Sequence, residues 1–307
     1  MSAETVPSRA RCRPLLEVGD LRAPASTLLA AFDFEAAPDR CPLPRLAGAA
    51  ASECWHSPDR GAFRIESLWM PDAVDIERAA REAYAELLSR VRGSPQPYLL
   101  RIWNFFDGIN QGEGDAERYR AFCVGRAAAV DAAFHDPPPA ATAIGSPAGS
   151  IAGLQVVALC GAEPGLALEN PRQTPAWRYP REYGPVSPGF SRGAILGQDG
   201  CAVLLASGTA SILGHVSQHV GDVEAQLAES LRNLQALLAE GETRSRSQFS
   251  LERCSALRVY LRHAEDAARV LPQLRQSFPE GTSLRLLHGD ICRRELDVEL
   301  EGVFPAG

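Results

Sequence analysis

Between Asn170 and Arg192 the chain carries Pro171, Pro175, Pro180, Pro185 and Pro188. Each fixes φ and lacks an amide donor, so neither a helix nor a central strand runs through this stretch. Regular structure must therefore be built on either side of it. The stretch is not a bland spacer. It holds Arg172, Arg178, Arg181 and Arg192 together with Trp177, Tyr179, Tyr183 and Phe190, whereas disordered linkers are poor in aromatics. Arginine presents a planar fork that grips carboxylates. The stretch alone leaves two readings level: an anion-binding loop, or a crossover with solvated arginines.

The patterns on the two sides match. On the first side a strand is expected over 63–70, then a helix opened by Pro71-Asp72 with Val74, Ile76, Ala80, Tyr84, Leu87, Leu88 and Val91 near one stripe. A buried strand over 98–106, a helix over about 115–134 and short strands over 141–144 and 153–160 follow. On the second side a strand lies within 201–212. The clearest helix spans 222–238, with Leu227, Leu231, Leu234 and Leu238 as its stripe. A strand over 256–261, a helix over 264–278 kinked or divided at Pro272, and a short strand over 284–287 come next. The alternation over 295–304 puts Leu296, Val298 and Leu300 on one face and Asp297, Glu299 and Glu301 on the other. The order predicts an α+β protein of two similar units, 1–160 and 161–307, each a mixed sheet with helices on one face. Packing the units together would place Glu299 at an interface, where ligand sites concentrate. The first 60 residues read as irregular cover.

The 307 residues suit one large domain or two of about 150. No apolar run approaches the roughly 18 residues of a membrane span, and no basic-then-apolar leader is visible, so a cytoplasmic protein is expected. A net charge of −7 argues against a nucleic-acid surface. All 31 basic residues are arginine. Without lysine there is no Schiff-base chemistry of the pyridoxal-phosphate kind and no P-loop. The eight cysteines are scattered with no Cys-x-x-Cys pair, so free thiols are expected rather than disulfides or zinc.

Three constellations carry possible chemistry. Tyr119, Phe122 and Arg126 share a helical face, which suits an anion pocket or, more simply, a structural ion pair. His215 and His219 stand four apart without the acid of a zinc motif, which favours a hydrogen-bonding role. Glu299 would need partial burial to shuttle a proton. Taken from the residues alone, the solvated strand face is the simpler reading, and Cys292 reads as a small buried hydrophobe.

In combination these segments resemble the chorismatase family. The matching stretches are Arg-Ile-Trp-Asn from Arg101, Glu-Arg-Tyr from Glu117 with Phe-Cys-Val-Gly-Arg ending at Arg126, Tyr-Pro-Arg-Glu-Tyr-Gly-Pro from Tyr179, Ala-Ser-Gly-Thr-Ala-Ser from Ala206, and Ile-Cys-Arg-Arg-Glu-Leu-Asp-Val-Glu from Ile291. They fall in order across roughly 98–302. The resemblance implies two fused RidA/YjgF-like units and removal of pyruvate from chorismate without metal or organic cofactor. It also implies Glu299 as the acid/base carboxyl, and Tyr119, Arg126, Tyr179, Arg181, Tyr183 and Arg192 around the substrate. Cys292, seven residues before Glu299, matches the branch that makes 3-hydroxybenzoate; other members release a dihydroxycyclohexadienoate. A small residue within 206–210 would leave room for the altered ring position. An internally fused pair suggests a monomer or weak dimer.

Overall fold

The computed structural model describes residues 18–20 and, from 63 onward, all but 72–74, 136, 147–152 and 198–201. The expectations for the rest of the first 62 residues lie outside the described part.

The first unit follows the expected order. Strand β1 (Val18–Asp20) belongs elsewhere; β2 (Phe63–Pro71) opens the unit. Helix α1 (Ile76–Arg92) is started by Asp75, whose carboxylate accepts the Arg78 amide, and stopped at Gly93. Strand β3 (Tyr98–Asp107), helix α2 (Arg118–Ala129), β4 (Ala140–Ser146) and β5 (Gly153–Gly161) follow. Helix α2 is shorter than the 115–134 expected. Gly112 and Gly114 take positive φ, Glu117 is extended, and the chain leaves the helix again at Val130.

The second unit begins just ahead of the proline-rich loop, which lies between its first two strands. Its strands are β6 (Leu166–Leu168), β7 (Gly193–Leu196), β8 (Val203–Ala206) and β9 (Thr209–Ala210). A small hairpin of β10 (Ile212–Leu213) and β11 (Val216–Ser217) leads to helix α3 (Val223–Ser245). Then come β12 (Ala256–Leu261), helix α4 (Ala267–Ser277), β13 (Ser283–His288), β14 (Asp290–Ile291) and β15 (Val298–Pro305). Helix α3 outruns its leucine stripe by two turns, ending where Arg246 takes a left-handed cap. Pro272 does not divide α4. Pro272 and Ala268, whose carbonyl loses its donor, both face solvent, so water replaces the missing bond.

One sheet runs β1-β13-β12-β15-β8-β7-β6, with β9 also on β15; the other runs β14-β4-β3-β5-β2. Thus β14, from the second half of the chain, joins the first unit's sheet, and β1 extends the second's. Each sheet alternates its faces. Ile102 and Phe106 of β3 pack with α1 and α2, while Trp103 and Phe105 join Ala194, Leu205 and Tyr260 between the sheets. On β15, Val298, Leu300 and Phe304 pack with α3 and α4. The layers are therefore helix, sheet, sheet, helix. The outward face predicted for Glu299 and Glu301 is an inner face, and both residues are 4% exposed. The solvated-strand reading fails because the partner sheet covers them.

Candidate active site

A cavity opens between the two sheets under the proline-rich loop. Tyr119, Arg126, Tyr179, Tyr183, Arg192, Cys292 and Glu299 all line it. Arg181, grouped with them by sequence, does not. It sits on an exposed 3-10 turn and pairs with Asp115 through both nitrogens. The turn points Tyr183 inward and therefore turns Arg181, two positions earlier, out to solvent.

Glu299 occupies the floor. Its strand neighbours are Tyr260 on β12 and Ala210 on β9. Among the described residues its carboxyl takes no hydrogen bond. Burial, then the charge of Glu301, push its pKa up to about 8 against the pull of Arg101 and Arg192. A side chain with that value is mostly protonated at neutral pH, and donors of this kind suit proton transfer to a substrate. Gly208 makes the placement possible. A Cβ there would stand 2.7 Å from the Glu299 carboxyl carbon and closer still to Oε1. Gly208→Ala is expected to displace the carboxyl and lower kcat by at least ~10-fold, read from initial rates of turnover; an unchanged kcat would refute the geometry.

Two cationic groups flank the acid. Arg126, on α2, is 5% exposed, and its guanidinium lies 5.5 Å from the Phe122 ring and 5.9 Å from the Tyr84 ring. Among the described residues it has no carboxylate in ion-pair range, so the structural ion pair favoured by sequence is absent. Arg192, 4% exposed, donates to Tyr179 OH at 2.7 Å and to the Thr174 carbonyl at 3.1 Å. Its Nε is buried with no partner. Arg126 hydrogen-bonds Tyr84, and Glu169 accepts the Arg192 backbone amide and feels the Arg192 charge, yet among the described residues neither guanidinium is ion-paired, which leaves both able to receive a further anion.

Sequence reasoning missed Arg293. Its Nη1 donates to the His215 carbonyl (2.8 Å) and Ser217 Oγ (3.0 Å), and its guanidinium lies 4.1 Å from the Tyr183 ring. Nη2 is buried without a partner, and the residue lines the cavity. The Arg-Arg after Cys292 was visible, but only tertiary packing shows which arginine turns inward; Arg294 is exposed. His215 and His219 sit around the β10–β11 hairpin rather than on a helix, and His215 Nδ1 meets Tyr183 OH at 3.2 Å. Among the described residues no group of His, Cys, Asp and Glu is placed to hold a metal.

Cys292 is held neutral. Burial, then the nearby Glu299 charge, push its thiol up to about 12. A thiol held protonated is a poor nucleophile. Burial also raises Tyr119 well above the ordinary phenol value, so its hydroxyl stays protonated and can donate.

Comparison with known proteins finds relatives of this chain in sequence and in fold. Residues 47–160 match the family model described as chorismatase FkbO/Hyg5-like, N-terminal. A chorismatase of Streptomyces rapamycinicus is 40% identical over 271 residues, covering 85% of this chain and 79% of that protein. A 3-hydroxybenzoate synthase of Streptomyces hygroscopicus is 36% identical, covering 76% of this chain and 71% of that protein. A crystal structure of a chorismatase superposes with a TM-score of 0.74 at 35% identity, over 79% of this chain and 75% of that one.

Proposed function

The chain belongs to the chorismatase family, and from that premise we propose that it converts chorismate to 3-hydroxybenzoate and pyruvate. The observation that carries this reading is one cavity holding a protonated carboxyl, Glu299, among Arg126, Arg192 and Arg293, none of them in an ion pair among the described residues. Chorismate is a dicarboxylate whose two acid groups lie at opposite ends. Arg126 with Tyr119 suits one end; Arg192 with Tyr179 suits the other, with Arg293 beside it. Fixed guanidiniums in a dry site orient the substrate before any chemistry begins.

In this reading Glu299 delivers its proton to the methylene carbon of the enolpyruvyl ether. The ether carbon becomes an oxocarbenium ion, and the Glu299 carboxylate left behind faces that charge. In the aromatic branch the neighbouring ring hydroxyl attacks ring C3 as the C3–O bond breaks and its electrons form the ketone of pyruvate. Glu299 takes the hydroxyl proton, and the resulting epoxide opens and loses the C3 proton to give 3-hydroxybenzoate. In the dienoate branch water adds to the oxocarbenium carbon, Glu299 takes a proton back, and the hemiketal collapses to pyruvate and the dihydroxy dienoate. The 3-hydroxybenzoate outcome balances without net water, because chorismate divides into pyruvate and the aromatic acid. The dienoate outcome consumes one water.

Two features favour the aromatic product. Cys292 places a neutral thiol at the cavity wall, and Gly208 removes a side chain beside the acid. Chromatography of the products formed from chorismate tests the proposal. The expected products are equimolar pyruvate and 3-hydroxybenzoate. Dienoate as the sole product would overturn the product assignment, and absence of pyruvate would overturn the reaction. Cys292→Ala is expected to keep pyruvate release within about 10-fold while raising the share of dienoate. An unaltered product ratio would remove Cys292 from the selection.

A further inference from the structure

Behind Glu299, on the same inner face of β15, lies a buried acid that the reaction above does not use. Glu301 Oε1 accepts from Arg258 Nη1 at 2.6 Å and Tyr260 OH at 2.8 Å. Its Oε2 accepts from Arg101 Nη2 and Thr142 Oγ1, each at 2.8 Å, and Trp103 Nε1 reaches both oxygens at 3.1 and 3.0 Å. Arg101, Trp103 and Thr142 come from the first unit; Arg258 and Tyr260 come from the second. Thr142 has no freedom left. Its hydroxyl donates to Glu301 and accepts from Arg101 and from the Gly208 amide, the latter at 2.9 Å.

We propose that Glu301 is a positioning residue for the acid step: a fixed anion, clamped by both units, that keeps the proton on Glu299 until the substrate takes it. This rests on the reading of Glu299 as the acid. Replacing a buried ionic cluster by apolar packing is often neutral or stabilising, so stability alone does not account for one here. Its place does. Strand residues two apart share a face, so the Glu301 charge acts on Glu299 across a water-poor interior.

The groups acting on Glu299 are few. Glu301 stands on its own strand, Arg101 comes from β3, and Arg192 comes from the loop before β7. Tyr119 from α2 and Cys292 are both neutral at working pH, and Tyr260 is its strand neighbour on β12. Burial would raise Glu301 itself, but Arg258 and Arg101 outweigh it and hold Glu301 ionised. Two cations therefore favour the Glu299 anion and Glu301 opposes them. A substrate carboxylate paired with Arg192 cancels one of those cations, which tightens the hold on the proton at the moment it is needed.

The test is Glu301→Gln. Losing the anion leaves Arg101 and Arg258 uncompensated, so Glu299 gives up its proton at lower pH. The titration of Glu299 is read without substrate as the infrared carboxyl band missing from Glu299→Gln. It should move down by at least one pH unit, and the high-pH limb of kcat/KM should move with it. Uniform loss of activity at every pH with an unmoved titration would make the cluster merely structural and overturn the proposal. If Glu301→Gln does not fold, Arg258→Gln serves in its place. Removing that cation should move the titration up, and no movement would be equally fatal. A titration that moves as expected in a protein releasing no pyruvate from chorismate would sink the function proposed above, and with it the acid step, while leaving the hold of Glu301 on the Glu299 proton established.

Discussion

Glu299→Gln abolishes pyruvate release from chorismate, lowering kcat by at least ~10³-fold, within the range that a positioned acid contributes. The glutamine keeps the shape and removes the transferable proton. The variant also gains stability at high pH. The folded pKa of Glu299, about 8, lies above its ordinary 4.5. Its protonated form thus stabilises the fold fully below about pH 4.5, and that contribution is lost as pH rises through about 8. Glutamine loses nothing over that window. Thermal melts should therefore coincide near pH 4.5 and separate by pH 9, with the variant higher by a few degrees; a gap of this size reflects up to a few kcal/mol. Activity within 10-fold of wild type would remove Glu299 from the acid role. Melts that stay parallel across pH would deny its burial as a neutral group.

Arg192→Met raises KM for chorismate by about 10²–10³-fold, since truncating one partner of a buried charge pair costs roughly 2–5 kcal/mol. Two losses combine. The substrate carboxylate loses its cation, and Tyr179 OH and the Thr174 carbonyl lose the donor that ties the loop to the second sheet. Steady-state kinetics would show the effect, and a KM within threefold of wild type would place the carboxylate elsewhere. Arg181→Ala on the same loop is the matched control. Its pair with Asp115 is solvent-exposed on both sides, so screening leaves little to lose and KM stays put.

The two residues share a loop and a residue type, yet sequence grouped them together. The five prolines record that the loop is stiff, not the direction each side chain takes. Tyr183 and Arg181 are two apart on a 3-10 turn, so one faces in and the other faces out. Arg293 escaped notice for the converse reason. Nothing in Arg293-Arg294 distinguishes the arginine packed over Tyr183 from the one left in solvent. The same holds for Glu301, which looked like a third acid on a wet strand and is saturated by donors from both units.

Sequence by itself determined the α+β class, the repeated order of elements and the break at the prolines. These rest on local rules: helical and strand periodicity, and the missing donor of proline. The family motifs brought out Glu299, Arg126 and Arg192, because residue types and spacing survive as a linear record. Only the tertiary structure decided what those residues are. Face-to-face packing of the two sheets turned an acidic strand edge into a buried floor, and burial with Glu301 behind it keeps Glu299 protonated. That is a property of surroundings drawn from four strands and a loop, and no linear stretch of the chain contains them together.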